Sequence, residues 1–254
     1  MVFVPDIEPA QSVKAIARLA QKVAVSVPES LGYFADGQGV VTGYPLGDRI
    51  TQWTRESGRA ALGLDADERV LLVFGGSRGA RSINRAVVSN VGALAELATI
   101  VHVSGTLDWP EVEAARASMS APVLARYHAY PYLHEQMGGA MAAADLVLCR
   151  SGASVLGEFP HFGLPAILVP YPYAWSYQRV NAGWLEERGA AVVLEDAALP
   201  EAIVDTVRRL IVDDVQRREM AEAARKLARP DAATRAAQLL HDLGQRQKAA
   251  PVAG

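Results

Sequence analysis

Residues 145–158 read "DLVLCRSGASVLGE". The apolar run Leu146–Cys149 stops at a charge, Arg150, and continues through the small residues Ser151, Gly152, Ala153 and Ser154. A helix-like pattern then begins and carries one carboxylate, Glu158. A strand that ends in small residues and opens a helix lets a ligand approach the backbone. The first helical N–H groups lack intrahelical acceptors and sit at the positive end of the helix, which suits a phosphate. Ser154 adds a hydroxyl donor, and Val155 lies within the same helix start. Glu158 lies at i+4 from Ser154, on the same helix face. An acid one turn beyond a phosphate can accept hydrogen bonds from ribose hydroxyls. On its own Glu158 also reads as a solvated helix glutamate. Pro160 weighs against a long exposed face, because it shortens or kinks the helix. Arg150 reads either as a cation for a leaving diphosphate or as a structural ion-pair residue.

A second small-residue turn, "FGGSRGA", spans residues 74–80. Its Gly75–Gly79 segment fits the G-x-S-x-G nucleophile elbow, which would make Ser77 a hydrolase nucleophile. No His-Gly-Gly segment precedes it, and the one late histidine, His241, falls in a C-terminal helix. The turn lacks the Lys-Ser/Thr of a P-loop and is not G-x-G-x-x-G; the next strand ends in "VSG" without a ribose-binding acid. The five histidines show no metal-ligand spacing, and "HEQMG" at His134 is not H-E-x-x-H. Cys149 reads as an inert core thiol. Trp175 and Tyr177 belong to a loop, "PYPYAWSYQ", that should also border the crevice; its aromatics read as packing residues ahead of sugar platforms.

Six apolar runs can carry these turns: Val70–Phe74, Thr99–Val103, Val123–Tyr127, Leu146–Cys149, Ala166–Val169 and Ala191–Leu194. Amphipathic stretches alternate with them, at Ala80–Leu94, Pro110–Ser118, Leu133–Ala143, Ala153–Phe162 and Tyr177–Arg188. Short runs apolar on both faces, in strict β-α alternation, predict an α/β fold with a doubly wound parallel six-stranded sheet. In the spatial order 3-2-1-4-5-6, strands 1 and 4 flank the point where the winding reverses. Ligands bind there, beyond the carboxyl ends of the strands. The turns at residues 74–80 and 149–154 would then face one crevice. Upstream, Pro9–Gln21 predicts a helix and Val23–Ser26 a strand, and "VFVPDIEP" resembles a strand end with its loop. "VVTGYPLG" resembles a linker. The last part is helical, with Ile203, Val207, Leu210 and Ile211 on one apolar face and Asp231 placed to cap a final helix.

Composition narrows the function. The chain of 254 residues is 50% hydrophobic, 21% charged and 7% aromatic, with net charge −3. That balance gives no general attraction to nucleic acid or anionic lipid. A low aromatic content argues against a module that stacks sugars on exposed rings. One cysteine excludes an intrachain disulfide and a cysteine-cluster zinc site. No apolar stretch reaches the ~20 residues of a membrane helix.

The ordered motifs "VTGYPLG", "GGSRGARSIN", "YLHEQMGGAMAAADLVLCRSGASVLGE" and "GLPAILVPYPYAWSYQRVNAGWLEERGAA" resemble the MurG-type glycosyltransferases. The resemblance covers most of the chain and is strongest from residue 70 to 195. It implies a GT-B fold, two Rossmann-like domains facing across a cleft, with this chain as the C-terminal, donor-binding half. Residues 1–45 would be the remnant of the N-terminal domain and the linker, 46–245 the nucleotide-sugar-binding domain, and 246–254 a flexible tail.

By that resemblance the donor is UDP-GlcNAc or a related UDP-sugar. The acceptor is a lipid-linked sugar of peptidoglycan precursor synthesis. The donor-binding residues are Ser77, Arg78, Gly79, Leu133, Arg150, Gly152, Ala153, Ser154, Val155, Glu158, Gln178 and Asn181. Ser77 would contact the phosphates, the Leu133 backbone the uracil edge, Ala153–Val155 the diphosphate, Glu158 the ribose and Gln178 the sugar hydroxyls. The catalytic residues are expected in the N-terminal half. No metal and no cofactor are expected, and no nucleic-acid partner. The complete enzyme would be cytoplasmic and peripheral at the inner membrane face. Two positions depart from the family pattern. Gly47 stands where the family's linker often has arginine, with Arg49 the nearest substitute, and Tyr177 precedes Gln178 where a pair of glutamines is common. Two other readings are a nucleotide-sugar-binding subunit without catalysis of its own and a serine hydrolase built on Ser77.

Overall fold

The computed structural model describes residues 1–76, 80–173 and 177–249, with side chains to residue 245. The small first sheet has the order β1-β2-β3, all parallel, from β1 (Val2–Val4), β2 (Val23–Val25) and β3 (Gly39–Val41). The large sheet holds β4 (Val70–Phe74), β5 (Thr99–Val103), β6 (Tyr127–Tyr130), β7 (Leu146–Cys149), β8 (Ala166–Leu168) and β9 (Ala191–Val193). Its order is β6-β5-β4-β7-β8-β9, and every pair is parallel. In the strands' own sequence numbering this is the predicted 3-2-1-4-5-6.

Side-chain alternation along a strand builds two cores from one sheet. In β4, Val70 and Leu72 enter one core while Leu71 and Val73 enter the other. In β7, Val147 and Cys149 join the first, and Leu146 and Leu148 the second. Helices Met137–Ala143 and Val155–Phe162 cover the first face. Helices Arg81–Ser89, Val91–Leu97 and Leu199–Val212 cover the second, where Ile203, Val207, Leu210 and Ile211 are all buried as their spacing predicts. Ile7 and Val27, from the segments around the small sheet, also enter the first core, so the two sheets share packing.

Several element boundaries differ from the sequence expectation, among them the first helix, which runs Gln11–Ala17 rather than Pro9–Gln21. The third strand lies at Tyr127–Tyr130 rather than Val123–Tyr127, because Ala121–Leu124 forms a short helix with Pro122 in its first turn. The expected helix at residues 80–94 is broken at Asn90, whose Nδ2 donates to the Ala86 carbonyl oxygen at 2.9 Å. The helix expected from Leu133 begins at Met137. The final helix runs Ala232–Ala249, past the expected start of the tail at residue 246.

Candidate donor-binding site

The two turns meet as the topology requires. β4 and β7 are hydrogen-bonded neighbours, with Phe74 opposite Cys149 at their carboxyl ends. Gly75 and Gly76 follow β4, and Gly76 has φ 89°, a conformation that glycine adopts without strain. Beyond β7, Gly152, Ala153 and Ser154 make a turn before the helix Val155–Phe162. Both turns line one cleft of about 1220 Å³, together with Arg81, Ser82, Arg150, Tyr171, Tyr173, Gln178 and Asp196. Among the described residues, no heavy atom apart from its own chain neighbours lies within 4 Å of where a Cβ on Gly152 would sit, so the backbone is open to a ligand there.

The helix start is tighter than the sequence suggested. The N–H groups of Val155, Leu156 and Gly157 already donate to the carbonyl oxygens of Gly152, Ala153 and Ser154 at 3.0–3.1 Å. In this turn the N–H groups of Gly152, Ala153 and Ser154 have no backbone acceptor among the described residues. The donor set for an anion therefore sits one residue triplet earlier than the first helical turn. The Ser154 side chain stands near the Glu158 carboxylate, one helical turn on, and favours its charged form. Burial pushes the Glu158 carboxyl above its ordinary value, and the Ser154 side chain partly offsets that. Tyr44 of the linker presses on this helix, its Cβ only 2.8 Å from where a Gly157 Cβ would stand.

Arg150 belongs to the wall of the cleft rather than to its open floor. Its Nη1 pairs with Asp196 Oδ1 at 2.5 Å and donates to the Val169 carbonyl oxygen at 3.2 Å. Its Nη2 donates to Ser82 Oγ at 2.7 Å, and Ser82 in turn donates to Asp196. Of the two readings of Arg150, the ion pair is the one formed; its charge is largely compensated by Asp196. Gln178 does line the cleft. Its Oε1 accepts from the Tyr171 N–H at 2.9 Å, which holds the amide in place.

Asn181 corrects the sequence expectation. It is 0% exposed, and its three contacts tie the small sheet to the large one. Oδ1 accepts from the Ile7 N–H at 3.2 Å, and Nδ2 donates to Asp6 Oδ1 at 2.8 Å and to the Ser151 carbonyl oxygen at 3.2 Å. A side chain enclosed and satisfied in this way is structural. Leu133 has a buried side chain, and its loop lines a separate cavity of about 640 Å³ with Arg49, Tyr132 and Gln136. Ser77, Arg78, Gly79 and Trp175 lie outside the described residues. Among the described residues no group of three or more His, Cys, Asp or Glu side chains could hold a metal ion, and no helix is long and apolar enough to cross a membrane.

Sequence reasoning missed one feature of the site. Asn84 donates through Nδ2 to the Ser104 carbonyl oxygen at 2.8 Å and to Asp108 Oδ2 at 2.9 Å. Asp108 holds Arg81 Nε at 3.1 Å at the cleft edge. Behind Asn84 stands the enclosed ring of His102, which also meets the Tyr127 hydroxyl at 2.7 Å. The only sequence signal was a histidine inside an apolar run.

Comparison with known proteins agrees with this architecture. Residues 70–236 match the glycosyltransferase family 28 C-terminal domain. A UDP-N-acetylglucosamine–N-acetylmuramyl-(pentapeptide) pyrophosphoryl-undecaprenol N-acetylglucosamine transferase from Roseiflexus sp. is 40% identical over 98% of this chain and 65% of its own length. A protein of the same name from Chlorobaculum parvum is 40% identical over 89% of this chain and 61% of its own. The chain thus spans a little under two thirds of these relatives. The crystal structure of Acinetobacter baumannii MurG superposes with a TM-score of 0.72 at 25% identity, covering 94% of this chain and 65% of that one. The calicheamicin glycosyltransferase CalG4 shares the fold at 19% identity and a TM-score of 0.58. With its two small-residue turns at the winding reversal of a six-stranded sheet, the chain belongs to glycosyltransferase family 28, whose C-terminal domain it carries.

Proposed function

We propose that this chain is the donor-binding half of a hexosyltransferase that uses UDP-GlcNAc, or a related UDP-sugar, to glycosylate a lipid-linked acceptor in peptidoglycan precursor synthesis. One observation carries the reading. Three N–H groups without a backbone acceptor among the described residues and a glycine open to the cleft meet at the switch point, with the Glu158 carboxylate one helical turn beyond them.

The diphosphate would lie over Gly152, Ala153 and Ser154. Donors fixed in the fold stabilise the charge that develops on a leaving diphosphate without reorganising. The positive end of the short helix adds ~0.3–1 kcal/mol. Glu158 would accept from the ribose hydroxyls. The Leu133 backbone would face the base, and Arg49, which lines the same cavity, is placed to supply a cation on that side, in keeping with the loss of arginine at Gly47. Gln178 would read the sugar hydroxyls. Ser77 would contact the phosphates. Residues 1–45 would be what this chain holds of the acceptor-side domain and linker. That domain would supply the catalytic base and the peripheral contact with the cytoplasmic membrane face. No metal or cofactor takes part in these proposed contacts.

A general base must hold the acceptor hydroxyl in line with the anomeric carbon. The six-stranded domain offers only the donor side of that geometry. The chain alone should therefore bind donor and transfer nothing. A radiolabelled transfer assay with a lipid-linked muramoyl acceptor tests this, with and without an added N-terminal half. Turnover that appears only with that half supports the reading; robust transfer by residues 1–254 alone overturns it. Labelling of Ser77 by a fluorophosphonate would favour the hydrolase instead.

A further inference from the structure

The loop after β8 carries two tyrosines that do not pack as the sequence led us to expect. Tyr171 is 44% exposed and Tyr173 is 82% exposed. Neither is loose from its surroundings. Asp196 holds Arg150 in the cleft wall, and the Arg150 guanidinium lies under the Tyr171 ring at 5.1 Å. Tyr173 stands against Tyr171 edge to face, with ring centroids 5.5 Å apart at 69°. The stack runs from a nearly buried ion pair out to the cleft mouth. Such contacts are attractive but small, and they orient the rings rather than bury them. Leaving a large apolar face in water gains nothing for folding.

The direction of the cleft says what that face meets. If the diphosphate lies over Gly152–Ser154 and the ribose turns toward Glu158, the sugar leaves the diphosphate on the other side. Tyr171, Tyr173 and Gln178 line the cleft there, and Glu158 does not. The Tyr171 N–H donates to Gln178 Oε1 at 2.9 Å, so the tyrosines and the amide are fixed relative to each other. An amide beside an aromatic face suits a pyranose, which has hydroxyls at its edge and C–H groups on its face. We infer that Tyr173, buttressed by Tyr171 and Arg150, is a platform for the hexose of the nucleotide-sugar donor and helps to select sugar-bearing nucleotides over the bare nucleotide. This rests on the donor-binding reading above.

Calorimetric titration of residues 1–254 with UDP and with UDP-GlcNAc tests it, using the wild type, Tyr173→Ala and Tyr173→Trp. Tyr173→Ala should weaken UDP-GlcNAc about fivefold, the scale of one aromatic contact. UDP affinity should stay unchanged and Tyr173→Trp should keep the sugar preference. Equal loss for both ligands, or no change for either, would overturn the platform while leaving the donor site standing. Failure of the wild type to bind either ligand would sink both. Because Tyr173 is exposed, its replacement leaves the core intact, and an unchanged circular dichroism spectrum confirms that the variants compare like with like.

Discussion

Replacing His102 with Gln should make stability less dependent on pH. The imidazole is 0% exposed, at the middle of the network that positions Arg81 and the helix Arg81–Ser89. Asn84 spends both Nδ2 hydrogens on Ser104 and Asp108, so its Oδ1 must accept from His102 Nε2–H. Nδ1 then accepts from the Tyr127 hydroxyl, and the ring is neutral. Burial pushes its pKa down from 6.5 to about 4. A base with a lowered folded-state pKa is protonated first in the unfolded chain as pH falls. Its contribution is therefore complete above about pH 6.5 and is lost as pH falls toward about 4. Integrated from about pH 7 to about pH 4.5, that loss is roughly 2–3 kcal/mol. Gln at position 102 has no such proton. At neutral pH the variant should be less stable by about 1–3 kcal/mol through lost hydrogen bonds. At the acid end the gap should shrink by roughly the linkage figure. Urea titrations of both proteins at the two pH values measure it. Taking the difference cancels carboxyl groups such as Glu158 and Asp6, whose raised values give the opposite slope. Parallel pH profiles for wild type and variant would refute the assignment of a neutral, buried His102.

Glu158→Gln should weaken UDP binding by about 1–3 kcal/mol with no change in circular dichroism, because a charge-assisted bond to the ribose is lost. UDP affinity in the wild type should begin to fall with pH above the ordinary carboxylate range, since the folded-state value is raised. Asn181→Ala should destabilise the fold by about 2–4 kcal/mol, because buried groups at Ile7 and Ser151 lose their partner, yet leave UDP affinity intact. A selective loss of UDP binding in that variant would return Asn181 to the site. Gly58→Ala should cost ~1–3 kcal/mol in thermal unfolding, since its Cβ would stand 2.2 Å from the Gly139 carbonyl oxygen and push two helices apart. An unchanged melting point would show that this contact can relax.

The large sheet was legible because its central strands are buried on both faces and appear as unbroken apolar runs. β6 was misplaced for the same reason in reverse. As an edge strand it alternates buried and half-buried positions, with His128 and Tyr130 only half-buried, while the apolar run before it forms a short helix. The site's backbone donors could be found from Gly152 and Ser154, since small residues between a strand and a helix carry a local meaning. The partners of Arg150 and Asn181 could not. Asp196, Asp6 and Ile7 are brought to them only by tertiary packing, and no local pattern distinguishes a cleft-facing side chain from a buried one. For the aromatics of the loop after β8, the sugar-platform reading ranked behind packing because exposure, too, is a property of the folded loop.

A nucleotide panel in a thermal-shift assay tests the central claim, that the switch point binds a uridine nucleotide-sugar. The panel is UDP, dTDP, GDP and several UDP-sugars, each added to residues 1–254 and to Glu158→Gln. At 100 times Kd a ligand should stabilise the wild type by about 2.7 kcal/mol. For a domain of this size that is roughly 5–10 °C in Tm. The uridine ligands should produce this shift, and Glu158→Gln should lose most of it at equal concentration. A shift from dTDP or GDP alone, or none from any nucleotide, would contradict it.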